Sequence, residues 1–407
     1  MTSACPINSD SIVDLIFFLK WKSSVANHTD GYQASRVNIW RDLLPPVLLD
    51  AMKDKEVGER LQVQFKKGDI VAAFTDQNLF SVKRNQFDRR FRQGVVTEPR
   101  VGRFYPRGLL KGIDGVFSAN VQPFRCVGLN NGHIKVDFNH PLAGKDLHLS
   151  AVIGKVGFKG AERGGTSIDW METLTAGPGM QARWQMQQTD YFSDNGFERT
   201  DNQPDAKFYQ QPRFVHHLDE TARAMVSNTY GRFLAAGMQV LDLMSSWRSH
   251  IPAGLQLDRL VGLGLNAEEL KKNSRLSDFM VYDLNADTRL PFESNTFDAV
   301  VNTVSVEYLI DPVAVLSEVA RILRPQGYFI ITFSNRWFPT KAIRIWQELH
   351  EFERMGLVLE YFLRAGGFSD LQTYSIRGLP RPHDDKYFPD LLFSDPIYAV
   401  WGRKQVL

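Results

Sequence analysis

The chain has 407 residues, of which 43% are hydrophobic and 23% charged, and its formal net charge is +2. This length is enough for two or three domains, and the near-neutral charge gives no overall field that would draw the protein to nucleic acid or membrane. The two cysteines, Cys5 and Cys126, exclude a disulfide framework and a thiolate-rich metal site. No apolar run approaches the roughly 20 residues that span a bilayer, and no basic signal-peptide start is present, so we expect a cytoplasmic protein.

Residues 1–157 are predicted to form a mostly β domain. Clusters of Gly, Asn, Asp and Pro, such as Asn130-Asn131-Gly132, separate short runs of β-branched and aromatic residues. These runs are RLQVQF, VFSANVQPFRCVGL, HIKVDF and LHLSAVIGKV. Only PVLLDAMKD has a helical pattern, and no strand pattern is legible in residues 1–42.

Residues 158–205 are rich in glycine and polar residues, which indicates a linker. Trp170, Trp184, Tyr191 and Phe192 are nevertheless interleaved in this segment. A free linker has no use for such large apolar side chains, so we expect the segment to dock on a neighbouring domain.

Residues 206–407 alternate between helical and strand patterns, which predicts an α/β domain with a doubly wound parallel sheet. In chain order the predicted elements are the helical DETARAMVSNTYGRFLAAG, strands MQVLDL and RLVGLGL, helix AEELKK, strands FMVYDL and FDAVVNTV, helix DPVAVLSEVARIL, strand GYFIITFS, helix TKAIRIWQELHEFER, and strands near LQTYSI and IYAVWG. Continuous apolar runs such as FDAVV and YFIITF are typical of parallel strands buried on both faces.

Three ordered motifs in this half resemble class I, Rossmann-like S-adenosylmethionine-dependent methyltransferases of type 11. The first is VLDL, where the family has V-L-D-L-G-C-G-T-G. The second is VYDLNADTRLPFESNTFDAVV, and the third is DPVAVLSEVARILRPQGYFIITF with its R-V-L-K-P-G-G-like turn. The resemblance implies S-adenosylmethionine as cofactor, bound beyond the carboxyl ends of the strands.

The resemblance also implies which residues hold the cofactor, with two departures from the family pattern. Met244 and Ser246 replace loop glycines, and Gly264 stands where the family has the acid that grips the ribose. We interpret the segment as a modified cofactor loop. The implied cofactor-binding residues are Asp242, Met244, Ser245, Ser246, Gly264, Asn266, Asp283 and Asn285. The alternative is an inert Rossmann scaffold. A nicotinamide site is disfavoured because no G-x-G-x-x-G motif follows the first strand.

Methyl transfer depends mainly on holding the acceptor in line with the methyl group, and a base helps only where the acceptor must lose a proton. Glu307, Tyr308 and His216 are the candidate catalytic residues. Tyr209, Arg213, Asn335 and Arg336 are candidates for binding the acceptor, and an arginine there would suit an anion. Adjacent His216 and His217 would point to different faces of a helix, so no metal site is expected.

The N-terminal half resembles the SlyD-type FK506-binding-protein prolyl isomerases. LLDAMKDKEVGERLQVQFKKGDI follows that family's helix and strand pattern, and VDFNHPLAGKDLHLSAVIGKV carries its N-H-P-L-A-G signature at Asn139 to Leu147. The loop LLPPVLL differs from the family's pocket-forming sequence, so we predict little or no isomerase activity.

Together these patterns predict a multidomain protein with an FKBP/SlyD-like β domain and a Rossmann-like methyltransferase domain. We expect methyl transfer to a small-molecule acceptor. The alternatives are a non-catalytic scaffold in a chaperone-like, peptide-binding protein, and methylation of a protein that the first domain recruits. The basic, aromatic stretch KRNQFDRRFRQGVVTEPRVGRFYPR is more typical of a solvated hairpin than of a nucleic-acid site.

Overall fold

The computed structural model describes residues 6–90, 96–158, 160, 164–193 and 195–406. The first part of the chain holds eight strands and a helix: β1 (Ser11–Lys22), β2 (Asn27–Asn38), α1 (Pro46–Met52), β3 (Arg60–Phe65), β4 (Leu79–Lys83), β5 (Phe104–Pro106), β6 (Pro123–Asn130), β7 (His133–Asp137) and β8 (Leu147–Phe158). The mostly β character predicted for this part is confirmed.

The segment after β8 contains α2 (Trp170–Thr175) and α3 (Asp205–Phe208). The remaining elements are α4 (Glu220–Tyr230), β9 (Gln239–Leu243), β10 (Arg259–Gly264), α5 (Ala267–Lys272), β11 (Asp278–Val281), β12 (Phe297–Thr303), α6 (Pro312–Ile322), β13 (Leu323–Phe333), α7 (Arg344–Glu348), α8 (Glu351–Ala365), β14 (Phe368–Arg377) and β15 (Ile397–Lys404). The predicted strands and helices of this half are present, in the predicted order. No helix in the described ranges is long and apolar enough to cross a membrane.

Eleven strands form one continuous sheet in the order β11-β10-β9-β12-β13-β15-β14-β2-β1-β8-β3. The five strands from β11 to β13 are parallel, whereas β15 runs antiparallel to both of its neighbours. The sheet is therefore parallel where the motifs lie and mixed beyond β13. The carboxyl ends of the five parallel strands meet at one edge.

Helices cover both faces of the parallel part, as expected for a doubly wound sheet. Residues alternate along β12, so that Val300 packs with α6 and α8 while Val301 packs with α4 on the other face. Helix α8 is almost entirely buried. The predicted single helix over TKAIRIWQELHEFER is divided, because His350 begins α8 by accepting a hydrogen bond from the Phe352 amide at 3.3 Å.

Strands β1 and β2 lie where the sequence gave no legible strand pattern. Strand β2 (NHTDGYQASRVN) is polar because it runs parallel to β14, and its buried polar groups find partners there. His28 Nδ1 lies 2.8 Å from the Thr373 hydroxyl, and Asp30 accepts hydrogen bonds from Ser375 Oγ at 3.0 Å and Trp21 Nε1 at 2.8 Å. This pairing joins the two halves of the chain into one sheet.

A second sheet of four strands, in the order β4-β7-β6-β5, is inserted between β3 and β8. It has its own apolar cluster around Phe124, Ile134 and Val136. Part of the basic stretch noted in the sequence, residues 91–95, lies outside the described residues.

The linker docks on its neighbours, as its aromatic residues predict. Trp170, Met171 and Leu174 of α2 are buried in the core formed by β1, β3, β8 and α1. The Trp170 indole also donates a hydrogen bond to Asp42 Oδ2 at 2.9 Å. Further along the linker, Tyr191 packs in the core beside α8. The linker therefore completes two hydrophobic cores.

Candidate functional site

One cavity of about 700 Å³ lies at the carboxyl ends of the parallel strands. Each of five strands contributes the residues that follow it: Asp242 and residues 244–248 at β9, residues 264–266 at β10, residues 282–285 at β11, residues 303–305 at β12, and residues 336–338 beyond β13. Residues 213 and 215–220, before and at the start of α4, close it from above. This is the position at which open α/β sheets bind ligands.

The loop after β9 keeps the conformation of a glycine loop without its glycines. Met244 has φ 59°, in the left-handed region that favours glycine. Asp242 is buried, and its Oδ2 accepts hydrogen bonds from Ser245 Oγ at 2.7 Å and Ser249 Oγ at 2.6 Å. Burial raises the pKa of Asp242 to about 6, and the two serine hydroxyls oppose that rise. The serines therefore tie the loop to the carboxyl group.

Gly264 has a steric role at the end of β10. A Cβ at this position would lie 2.1 Å from the Ser245 carbonyl oxygen, so only glycine fits beside the altered loop. The acid that related proteins carry here has no room in this chain. Val304, at the end of β12, also has a positive φ of 42°, an uncommon and strained conformation for a β-branched residue.

The Asn266 side chain is engaged in structural hydrogen bonds. Its Oδ1 accepts from the Glu268 and Glu269 amides at the start of α5, and its Nδ2 donates to the Tyr209 carbonyl at 2.8 Å. Glu269, which the sequence analysis did not single out, lines the cavity as Asn266 does. Its carboxylate accepts from Ser246 Oγ at 2.5 Å and from the Arg213 amide at 2.7 Å.

Asp283 and Asn285 both line the cavity, but Asn285 is also engaged elsewhere. Its Nδ2 donates to Asp205 Oδ2 at 2.8 Å and to the Tyr308 carbonyl at 2.9 Å. Asp283 Oδ1 accepts the Asn285 amide at 2.9 Å. Asn285 therefore fastens α3 to the turn after β12, and Asp283 is the freer of the two side chains.

Of the two candidate catalytic residues after β12, only Tyr308 lines the cavity. Its hydroxyl accepts the Phe338 amide at 2.9 Å, and burial raises its pKa well above the usual range. Glu307 is 1% exposed and lies outside the cavity wall, with no hydrogen-bond partner for Oε2. Burial raises its pKa to about 8. Glu307 therefore does not reach the cavity as Tyr308 does, and its catalytic role stays a prediction.

The segment between α3 and α4 that closes the cavity forms neither a helix nor a strand. Its Arg213 guanidinium lies 4.3 Å from the Phe208 ring centre and 5.0 Å from that of Phe338, and its Nη1 is buried without a hydrogen-bond partner. Tyr209 also packs near Phe338. The His216 ring lies 4.8 Å from Trp247.

The far wall is built by charged groups that are distant in sequence. Arg336 Nε donates to Asp395 Oδ1 at 2.9 Å, and Arg381 Nη2 donates to the same oxygen at 2.7 Å. Asp219 accepts the Asp395 amide and the Ser394 hydroxyl. Arg381 was missed in the sequence because nothing local marks it. Asn335 does not line this cavity and contributes to a second one. The described residues hold no group of His, Cys, Asp or Glu suited to a metal ion.

Comparisons with known proteins find a likeness to methyltransferases. A family model described as a methyltransferase domain matches residues 251–331. The mitochondrial arginine-hydroxylase NDUFAF5 of Danio rerio is 33% identical over 126 residues, which are 30% of this chain and 36% of that protein. The ubiquinone/menaquinone biosynthesis C-methyltransferase UbiE of Geobacter sp. (strain M21) is 23% identical over 185 residues, which are 43% of this chain and 68% of that protein. The chain thus spans about a third of the first relative's length.

Solved structures match about half of the chain at low overall similarity. A complex between the Haloferax volcanii Trm112 methyltransferase activator and the putative methyltransferase has a TM-score of 0.34 and 20% identity, covering 46% of this chain and 91% of that one. The [4+2]-cyclase SpnF has a TM-score of 0.33 and 17% identity, covering 50% and 92%. Residues 251–331, which run from just before β10 into β13, are thus similar to a methyltransferase domain.

Proposed function

We propose that the protein transfers the methyl group of S-adenosylmethionine to a small-molecule acceptor. The proposal rests on the cavity at the carboxyl ends of the five parallel strands, because the motif residues that follow these strands line it. Its volume of about 700 Å³ lies within the range of small-molecule sites, about 300–1,000 Å³. The cytoplasmic location expected from the sequence belongs to the same proposal.

The cavity wall fits the cofactor despite the missing glycines. Met244 has the left-handed backbone conformation that favours glycine. Gly264 has no Cβ, so the Ser245 carbonyl can lie close to the end of β10. Arg213 Nη1 and Arg223 Nε lie in residues of the wall and are buried without hydrogen-bond partners, which suits a ligand with a carboxylate. Asp283 is the side chain that we expect to contact the adenosine end of S-adenosylmethionine. Asn266 would have to give up structural hydrogen bonds to contact the ribose.

When bound, S-adenosylmethionine supplies an electrophilic methyl group, so the chain's own residues have to position an acceptor and exclude water. Tyr209, Tyr308 and Phe338 give the wall an aromatic surface for that purpose. The pKa of His216 is lowered by burial and by Arg223 and Arg248, so its ring is neutral near pH 7 and able to accept a proton. The high pKa of Tyr308 keeps its hydroxyl protonated.

Calorimetry with S-adenosylhomocysteine and mass analysis of products test the proposal together. The relatives' names cover a C-methyltransferase and an arginine hydroxylase, so the product must be identified by mass. Methylation adds CH2 to the acceptor, whereas hydroxylation adds one oxygen. Micromolar binding with a methylated product supports the proposal. Absence of binding at millimolar ligand would favour the inert scaffold instead, and a methylated protein in place of a metabolite would favour the recruited-protein alternative.

Replacing Ser246 by alanine should weaken S-adenosylhomocysteine binding by about 0.5–1.5 kcal/mol, the value of one hydrogen bond. The Ser246 hydroxyl holds Glu269 against the altered loop, so its loss loosens both. Ser246→Gly should lose less, because the bare backbone can approach the ligand more closely. Calorimetric affinities of the two variants, with exposed Ser294→Ala as control, measure this. Unchanged affinity in Ser246→Ala would show that the hydroxyl has no part in binding.

Because the sequence of residues 1–157 resembles SlyD-type prolyl isomerases, we further propose that the first half binds peptides. The structure favours an inactive isomerase because α2 of the same chain occupies the core beside α1, where Trp170 packs 6.4 Å from Tyr32. We therefore expect the full chain to catalyse X–Pro isomerisation weakly or not at all in a protease-coupled peptide assay. Turnover comparable to an authentic family member would contradict this expectation.

A further inference from the structure

A second cavity of about 810 Å³ lies between the inserted four-stranded sheet, the linker and the segment that follows β13. Its wall includes Arg100 and Arg103 from the insert, Asp190 and Tyr191 from the linker, and residues 335–337 and 344–348 from the methyltransferase half. It is therefore a product of how the two halves meet, and no local sequence pattern marks it.

The second cavity adjoins the cofactor cavity. Arg336 and Trp337 line both, so the two cavities meet at these residues. Both residues follow β13, at the edge of the sheet where ligands of α/β proteins bind. A molecule in the second cavity would thus approach the first from the side of β13.

The arginines of the second cavity outnumber its acids. Arg100, Arg103, Arg336 and Arg344 line it, against Glu98, Asp190 and Glu348. Each acid already has a partner. Glu98 pairs with Arg84 at 3.3 Å and with Arg89, Asp190 accepts the Ser193 hydroxyl and amide, and Glu348 lies 3.4 Å from Arg344. Arg336 and Arg344 are paired as well, with Asp395 at 2.9 Å and with Glu348, so the groups that remain to meet a ligand are the buried nitrogen atoms of Arg103 and Arg336 that have no hydrogen-bond partner.

Arg103 is the buried member of this set, with 5% of its surface exposed. Its Nε has no hydrogen-bond partner, and the nearest carboxylate oxygen, Glu353 Oε1, lies 3.9 Å away. That oxygen accepts the Phe104 amide at 2.8 Å instead. Arg336 Nη2 in the shared wall is buried and unpartnered as well. Unsatisfied buried guanidinium groups are costly unless a ligand completes them.

We propose that the second cavity binds the anionic group, a carboxylate or phosphate, of the methyl acceptor. Guanidinium groups recognise both oxyanions through paired, charge-assisted hydrogen bonds. The acceptor is then an anion that reaches past Arg336 and Trp337 toward the cofactor cavity. The assignment of the ligand as acceptor rests on the proposed methyltransferase function, whereas the anion site itself does not.

The test uses the full chain and two probes, citrate for a carboxylate and pyrophosphate for a phosphate. Each is titrated calorimetrically with and without saturating S-adenosylhomocysteine, at ionic strength matched with sodium chloride. The variants are Arg103→Met, which keeps the buried volume, and Arg344→Gln, whose half-exposed side chain makes misfolding no concern. Lys111→Gln, an exposed cation of the same insert paired with Asp88, is the matched control.

We expect one or both probes to bind the parent and to bind at least ten times more weakly to Arg103→Met and Arg344→Gln, with Lys111→Gln unchanged. The probe that binds more tightly tells carboxylate from phosphate. Affinity for S-adenosylhomocysteine should stay within about twofold in both variants. No binding of either probe, or equal binding by all variants, overturns the anion site. If Arg103→Met does not fold, the affinity of Arg344→Gln for the two probes decides whether the anion site exists. Failure of S-adenosylhomocysteine to bind the parent overturns the proposed function separately.

Discussion

Asp242→Ala is expected to abolish the stabilisation of the protein by S-adenosylhomocysteine. At a ligand concentration of about 100 times Kd, the parent should gain about 2.7 kcal/mol and the variant nothing. The physical reason is that the Asp242 carboxylate holds Ser245 and Ser249, and through them the loop whose conformation replaces the glycines. Thermal unfolding with and without ligand measures the effect.

The matched control for this change is Asp258→Ala, which removes an exposed carboxylate just before β10, at the opposite end of the sheet. It should keep the full ligand-dependent shift. Circular dichroism of Asp242→Ala should show an intact fold. A variant that is folded and still stabilised by the ligand would contradict the role given to Asp242.

The pH dependence of binding follows from the raised pKa of Asp242, which is about 6. Affinity for S-adenosylhomocysteine should fall as the pH is lowered from 7 to 5, because the protonated carboxyl is a weaker acceptor for the two serines. The contribution of Asp242 to the stability of the ligand-free protein has the opposite dependence on pH. The folded pKa lies above the ordinary value of 3.8, so this contribution is present at low pH and is lost as the pH rises through about 6.

Glu307→Gln is expected to raise the free energy of unfolding near pH 7 by up to about 3 kcal/mol, since each pKa unit is about 1.4 kcal/mol. The pKa of Glu307 rises from 4.5 to about 8 in the folded protein, so folding takes up a proton between these values. Stability from this group is complete below pH 4.5 and is lost as the pH rises through about 8. The neutral glutamine removes that loss. Urea unfolding at pH 5, 6, 7 and 8 measures the difference.

The control is Glu293→Gln, an exposed acid before β12, which should leave the pH profile of stability unchanged. Because Glu307 lies outside the cavity, Glu307→Gln should also keep the parent's affinity for S-adenosylhomocysteine. Parallel stability profiles for Glu307→Gln and the parent would disprove the buried, protonated state. A collapse of turnover with unchanged binding would instead support the catalytic role that the sequence predicted for Glu307.

The sequence predicted the C-terminal half closely because its signals are local. Continuous apolar runs such as FDAVV, turn residues and the motif order specify which segments become strands and which edge carries the ligand. The cavity accordingly contains Asp242, Gly264, Asp283 and Tyr308, whose roles in binding and catalysis stay predictions. The weakest prediction was residues 1–42, where β2 is polar because its partner strand supplies the hydrogen bonds.

The sequence by itself thus determined the order of the elements, the edge of the sheet at which the cavity lies and the motif residues that line it. Only the tertiary structure decided how the halves join through β2 and β14, and that Glu307 faces away from the cavity. It also decided that the Ser245 carbonyl lies where a side chain at position 264 would have to fit, so that no acid can stand there. Finally, it decided that arginines from both halves line a second cavity. The physical reason is distance along the chain: these contacts join residues tens to hundreds of positions apart, and local periodicity carries no record of such pairing.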